Sequence, residues 1–238
     1  YVEEFETNFS NFSNSKYTIG CANGTDAIEL VLRALNIKNG DEVIVQANTF
    51  IATALAISRI GAIPVFIDNG NDYLIDIEKI SQAITKSTKA IISVNLYGQM
   101  GDNYSLYQIA KKYKLHFIED SAQAHGATQN SNSPGKFSIA STYSFYPGKN
   151  LGGWGDGGCI TTNNKKFAEK LIYLRNWGSK KKYYHNIIGY NSRLDPIQAV
   201  VLNEKLKYLN EWNLERNYIA KYYSENISDK YILPEVRA

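Results

Sequence analysis

Short apolar runs alternate with helical patterns through the middle of the chain. Glu42–Ala47 (EVIVQA) reads as a buried strand, and Phe50–Ile60 as a helix stopped by Gly61. Ile63–Asp68 (IPVFID) is strand-like and Ile75–Ile84 helix-like. Ala90–Tyr97 (AIISVNLY) is strand-like, Tyr104–Tyr113 helix-like, and Leu115–Asp120 (LHFIED) strand-like again. Strands rich in β-branched residues and separated by helices predict βαβ units, hence an α/β fold with a mostly parallel central sheet flanked by helices. Ligands in such sheets sit beyond the carboxyl ends of the strands.

The later pattern adds three features. Ser141–Tyr146 (STYSFY) alternates with period two, as a half-buried strand does, and GGCITTN is a strand reached through glycines. Lys165–Asn176 is helix-like. Pro196 to about Asn226 predicts one long amphipathic helix, with Pro196 suited to a first turn.

Composition narrows the class. The 238 residues are 44% hydrophobic and 21% charged, the balance of a soluble globular protein, and the net charge is only +3. Basic residues are scattered apart from Lys180–Lys182, which read as solvated surface, so no nucleic-acid partner is expected. Cys21 and Cys159 are too few for a disulfide framework and lack metal-site spacing; a reducing, cytoplasmic setting and no metal are expected. No apolar run approaches the roughly 20 residues that span a membrane. The chain opens YVEEFETNF without a methionine and closes YILPEVRA after a helix, so it is expected to be part of a longer protein.

Three stretches could carry chemistry. In Cys21–Leu35, Ile28, Val31, Leu32 and Leu35 fall on one helix face, with Gly24 and Thr25 at its start. A helix N-terminus offers unpaired N–H groups and partial positive charge to a phosphate; a plain N-cap is the bland alternative. In FIEDSAQAHGA, Asp120 ends an apolar strand, where a carboxylate needs a cationic or hydrogen-bonded partner. Gln123 and His125 follow, and His125 reads as a satisfied polar residue rather than a base. In YSFYPGKNLGGWGDGGC, Ser144 and Lys149 flank a strand end and a Pro-Gly turn that can hold the lysine rigidly. A lysine in such a pocket has a lowered pKa and can attack a carbonyl. Pyridoxal phosphate needs these three parts: a linking lysine, a carboxylate at the pyridinium nitrogen, and phosphate donors. Phe50, just after a strand, could cover the ring or simply pack in the core.

The motifs ANGTDAI, ANTFIATA, NLYGQMGD, IEDSAQAHGA, SFYPGKNLG, GDGG and GYNSRLDPIQA occur together and in order. In these the chain resembles the DegT/DnrJ/EryC1/StrS sugar-nucleotide aminotransferases, within the fold-type I pyridoxal-phosphate enzymes. The resemblance implies that pyridoxal 5'-phosphate is covalent to Lys149, with Asp120 at the ring nitrogen. It places Gln123 near the 3-oxygen, Phe50 on the ring, and Gly24, Thr25, Asp26 and Ser144 around the phosphate. It implies a homodimer in which Asn191 reaches the phosphate of the partner subunit's cofactor. It also implies residues 1–195 as the cofactor-binding large domain and 196–238 as a long helix opening a C-terminal small domain. The segment NSNSPGKFSIASTYSF is looser than the family's small-residue run.

The activity so implied moves an amino group from an amino acid, glutamate by resemblance, to a nucleotide-linked keto sugar. HNIIGYNSRLDPIQA and NLYGQMGD lean toward a dTDP-3-keto-6-deoxyhexose, in amino-sugar or surface-glycan biosynthesis. Two alternatives stand beside it. A sugar dehydratase of the same fold is implied to carry histidine in place of the lysine, and a non-catalytic regulatory or scaffold relative would bind cofactor without turnover.

Overall fold

The computed structural model describes residues 1–181, 183–228 and 230–236; Lys182, Asp229, Arg237 and Ala238 lie outside the described residues. In chain order the elements are α1 (Val2–Phe12), β1 (Tyr17–Cys21), α2 (Gly24–Ala34), β2 (Glu42–Gln46), α3 (Ile51–Arg59), β3 (Ile63–Ile67), α4 (Ile77–Ala83), β4 (Thr88–Val94), α5 (Asn103–Tyr113), β5 (His116–Asp120), β6 (Ala140–Ser144), β7 (Gly158–Thr162), α6 (Lys165–Arg175), β8 (Ser179–Lys181), β9 (Tyr184–His185), α7 (Pro196–Leu206) and α8 (Leu209–Asn226). Seven strands form one sheet in the order β1-β7-β6-β5-β4-β2-β3. β3, β2, β4, β5 and β6 run parallel, and β7 runs antiparallel to both β6 and β1.

Strand alternation sends one set of side chains to each face. Val43, Val45, Ile92, Ile118 and Ile160 meet Ile28, Val31 and Leu32 of α2 and Leu171 of α6. Ile44, Ile91 and Phe117 meet Ile80 of α4 and Leu106 of α5 on the other side. At the β6–β7 end, Tyr143, Phe145 and Cys159 pack on Phe5 and Phe9 of α1, Ala199 and Leu202 of α7, and Leu209.

Four differences from the sequence pattern have local causes. α1 and β1 carry no prediction above. Phe5 and Phe9, one helical turn apart, bury one face of α1, while β1 completes the sheet edge against β7. α2 is buried nearly all round, from Ala27 to Ala34 except Arg33, rather than along one face. β4 ends at Val94, and the expected strand residues Leu96 and Tyr97 lie in a short 3₁₀ turn over Leu96–Gly98. The single long helix is two: Lys207 and Tyr208 donate to Glu204 and Lys205 carbonyls at 3.3 and 3.1 Å, a tightening to i→i−3 bonding that ends α7. The apolar residues Leu214, Tyr218, Ile219, Tyr222 and Tyr223 of α8 are exposed.

Candidate active site

The turn from β1 into α2 sets one wall of the site. Asn23 caps α2, its side chain accepting the Asp26 amide at 2.8 Å, which leaves the Gly24 and Thr25 amides open at the helix start. A Cβ on Gly24 would stand 2.7 Å from Ser144 Cβ, and one on Gly158 would stand 2.5 Å from the Asn23 carbonyl carbon. Glycine at both positions lets the helix start press against the ends of β6 and β7, so Gly24, Thr25 and Ser144 share one small surface. Asp26, the third expected residue of this helix start, is held in place by its neighbours. Besides its capped amide, its carboxylate takes Arg59 Nη1 at 3.3 Å and the Ser192 hydroxyl at 2.8 Å, so it fixes the helix end.

Asp120 is the last residue of β5 and is buried. Its Oδ2 accepts from the Thr53 hydroxyl at 2.7 Å and its Oδ1 from the Ala122 amide at 3.1 Å. Burial pushes the carboxyl above its ordinary value, and the Thr53 hydroxyl, the Ala122 amide and the Lys149 charge pull it back. Thr53 is itself steadied by Thr49 at 2.9 Å.

Lys149 is half-buried in a turn braced on several sides. Its amide donates to the Tyr146 carbonyl at 2.8 Å, and Gly153 N donates to the Phe145 carbonyl at 2.8 Å. From α7, Lys205 Nζ donates to the Gly152 carbonyl at 2.7 Å and Gln198 accepts the Trp154 amide at 2.8 Å. Asp120 ends β5 and Lys149 lies in the turn that follows its parallel neighbour β6; burial lowers the Lys149 pKa and the Asp120 charge raises it.

Gln123 accepts the Tyr97 amide on Oε1 at 2.8 Å, which turns its NH₂ group away as the free donor. Tyr97 adopts φ +56°, a left-handed conformation uncommon for a non-glycine residue. Phe50 is 69% exposed at the start of α3, which excludes the core-packing alternative. His125 is buried between Tyr143 and Phe145, ring centroids 5.5 and 5.8 Å away. The expectation of a satisfied histidine fails: the Ser144 backbone faces the ring without good hydrogen-bond geometry, and both ring nitrogens lack a partner among the described residues. Burial, with Lys149 nearby, holds its pKa down at about 3, so it is neutral at ordinary pH. Asn191 is exposed and pairs by its backbone with Asn176, while Ser192 beside it bonds Asp26.

Thr53 and Tyr97 were missed by sequence reasoning. Both lie inside motifs quoted above, Thr53 in ANTFIATA one helical turn after Phe50 and Tyr97 in NLYGQMGD, but neither motif assigns them a role. A cavity of about 350 Å³ lies elsewhere, between the end of α1 and the Gly126–Pro134 loop. The site is an open surface at the sheet's carboxyl edge. It presents open amides and hydroxyls suited to an anion, a buried carboxylate suited to a ring N–H, a half-buried primary amine and an exposed aromatic ring. These donors fit pyridoxal phosphate, group by group.

Residues 1–236 match the DegT/DnrJ/EryC1/StrS aminotransferase family model. A dTDP-3-amino-3,6-dideoxy-alpha-D-galactopyranose transaminase from Aneurinibacillus thermoaerophilus is 53% identical over 237 residues, covering 99% of this chain and 65% of the relative. A pleiotropic regulatory protein from Geobacillus stearothermophilus is 46% identical over 240 residues, covering 99% and 64%. The solved structure of NtdA from Bacillus subtilis with bound cofactor PMP superposes with a TM-score of 0.89 at 39% identity, covering 93% of this chain and 51% of NtdA. The chain thus spans about two thirds of the length of these two curated relatives.

Proposed function

The chain belongs to the DegT/DnrJ/EryC1/StrS aminotransferase family, and on that premise we propose a pyridoxal-phosphate-dependent sugar-nucleotide aminotransferase. Its fold is the fold-type I architecture of its structural neighbours. One observation carries the proposal: Asp120 at the end of β5 and Lys149 in the turn after its parallel neighbour β6 share the sheet edge at which Ser144 packs against the open start of α2. The amino donor is glutamate, and the acceptor is a nucleotide-linked keto-deoxysugar, a dTDP-3-keto-6-deoxyhexose. The name and 53% identity of the Aneurinibacillus relative support that acceptor.

The cofactor, when bound, supplies an electron sink for the carbanion formed at the donor's α-carbon. Gly24 and Thr25 amides, with the Thr25 and Ser144 hydroxyls, hold its phosphate. Asp120 would keep the ring nitrogen protonated, Gln123 would donate its free NH₂ to the 3-oxygen, and Phe50 would cover the ring. Lys149 Nζ is the point of covalent attachment. Once displaced, its neutral amine would take the proton from the donor's α-carbon and deliver it two atoms along, across the intervening nitrogen. Its burial favours that neutral form. The presence of Lys149 favours transfer over the dehydratase alternative.

The functional unit in this proposal is a homodimer in which Asn191 donates to the phosphate of the partner's cofactor. Its exposure in a single chain supports that role. The proposed setting is the cytoplasm; Cys21 and Cys159 are unpaired, and no helix among the described residues is long and apolar enough to cross a membrane. A regulatory role is favoured by the names of relatives such as the Geobacillus protein and not by any feature of the site. A panel of dTDP- and UDP-linked keto sugars, incubated with glutamate and pyridoxal phosphate and read by product mass, separates the readings. The expected result is amination of a dTDP-3-keto-6-deoxyhexose; cofactor uptake without any aminated product would favour the regulatory reading.

A further inference from the structure

Beyond the site, α8 sends one polar side chain back to it. We propose that Asn213 is a positioning residue for Lys149: its single amide accepts from Asn150 Nδ2 at 2.9 Å and donates to the His125 carbonyl at 2.7 Å. It thereby clips the lysine turn to the segment that begins at Asp120 and carries Gln123. The role rests on Lys149 being the working amine of the proposed function.

The geometry fixes the amides without ambiguity. A backbone carbonyl can only accept, so Asn213 must turn Nδ2 toward His125. That leaves Oδ1 facing Asn150, which must then offer its own NH₂. The approach is close. Gly126 has φ +87°, and a Cβ there would come within 2.8 Å of Asn213 Nδ2. Asn150 directly follows Lys149 in the chain; the other braces of the turn tie the Lys149 amide back to Tyr146 or act further on, at Gly152, Gly153 and Trp154. The Asn213 bond is therefore the tether nearest the lysine on its C-terminal side. With it in place, Lys149 stays half-buried beside Asp120; without it, residue 150 can lift and let the amine reach water.

The test reads Lys149 directly in the cofactor-free protein. Competitive acetylation across a pH series, followed by peptide mass spectrometry, gives the midpoint at which the amine becomes nucleophilic. Asn213→Leu keeps the side-chain size and removes both bonds. Its Lys149 midpoint should rise toward that of an ordinary lysine by about half a pH unit or more. Pyridoxal phosphate affinity should weaken about tenfold. Asn150→Ala should raise the midpoint similarly, and the double variant should add little, since both remove one interaction. Asn210→Leu, on the same helix, should leave the midpoint unmoved while reporting any general loss of stability. An unchanged midpoint in Asn213→Leu overturns the proposal, as does a double variant in which the two shifts simply add. If Asn213→Leu does not fold, Asn150→Ala decides alone, and an unchanged midpoint there overturns it. Failure of the functional proposal looks different: Lys149 never takes up cofactor, yet its acetylation midpoint still depends on Asn213.

Discussion

Two side chains, Thr53 and Asp120, decide how negative the floor of the site is. A buried carboxylate is costly unless hydrogen-bonded or paired, and Asp120 has the Thr53 hydroxyl at 2.7 Å, the Ala122 amide at 3.1 Å and the charge of Lys149. Thr53→Val keeps the shape and removes the hydroxyl. It should cost about 1.5–3 kcal/mol by chemical denaturation, the usual worth of a hydrogen bond to a charged group. Asp120→Asn should retain cofactor binding and slow the proposed transamination on the order of a hundredfold or more, the scale for losing one aligned charge partner. Near wild-type turnover in that variant would reduce Asp120 to a structural strand end. The sequence made Asp120 and Lys149 visible because strand ends and Pro-Gly turns leave local patterns. Thr53 and Tyr97 lie inside recognisable motifs, yet like Asn213 they act through contacts between distant segments, and the motifs do not say which segments meet.

At the scale of elements, the parallel strands were legible because each is a short β-branched run between helical patterns. β4, α7 and α8 were less so. Leu96 and Tyr97 look like strand residues, yet the chain must turn there to bring the Tyr97 amide to Gln123. The break at Lys207–Tyr208 leaves the 3.6-residue pattern almost undisturbed. β5 also carries Glu119, on the opposite face from Asp120. Glu119 is buried and accepts from Asn103, from the Gly135 amide and from the Ser138 hydroxyl, so it ties β5 to the start of α5 and to the loop before β6. Burial raises its pKa from 4.5 to about 7. The folded state then holds a proton that the unfolded chain has released, so this group's contribution to stability falls as pH rises from about 4.5 to about 7. Glu119→Gln should flatten that part of the stability–pH profile in denaturant titrations. A slope unchanged by the substitution would place its origin elsewhere.

For the whole molecule, the sheet gathers groups from four strand ends and one helix start onto a single open edge. Exposed Phe50, Tyr97, Tyr146 and Trp154 lie on segments that border that edge, and α8 exposes Leu214, Tyr218 and Tyr222 further along. In the proposed dimer the partner's Asn191 completes the phosphate site. Asn191→Ala should weaken pyridoxal phosphate binding about tenfold, as expected for one neutral donor to a charged group. An equilibrium titration giving unaltered affinity would remove Asn191 from the site. All these roles converge on Lys149. The protein should be incubated with pyridoxal phosphate, reduced with borohydride, digested and mapped by mass spectrometry. The proposed function predicts a pyridoxyl group on Lys149, absent from the Lys149→Ala variant. Label on a different lysine, or on none, would contradict it.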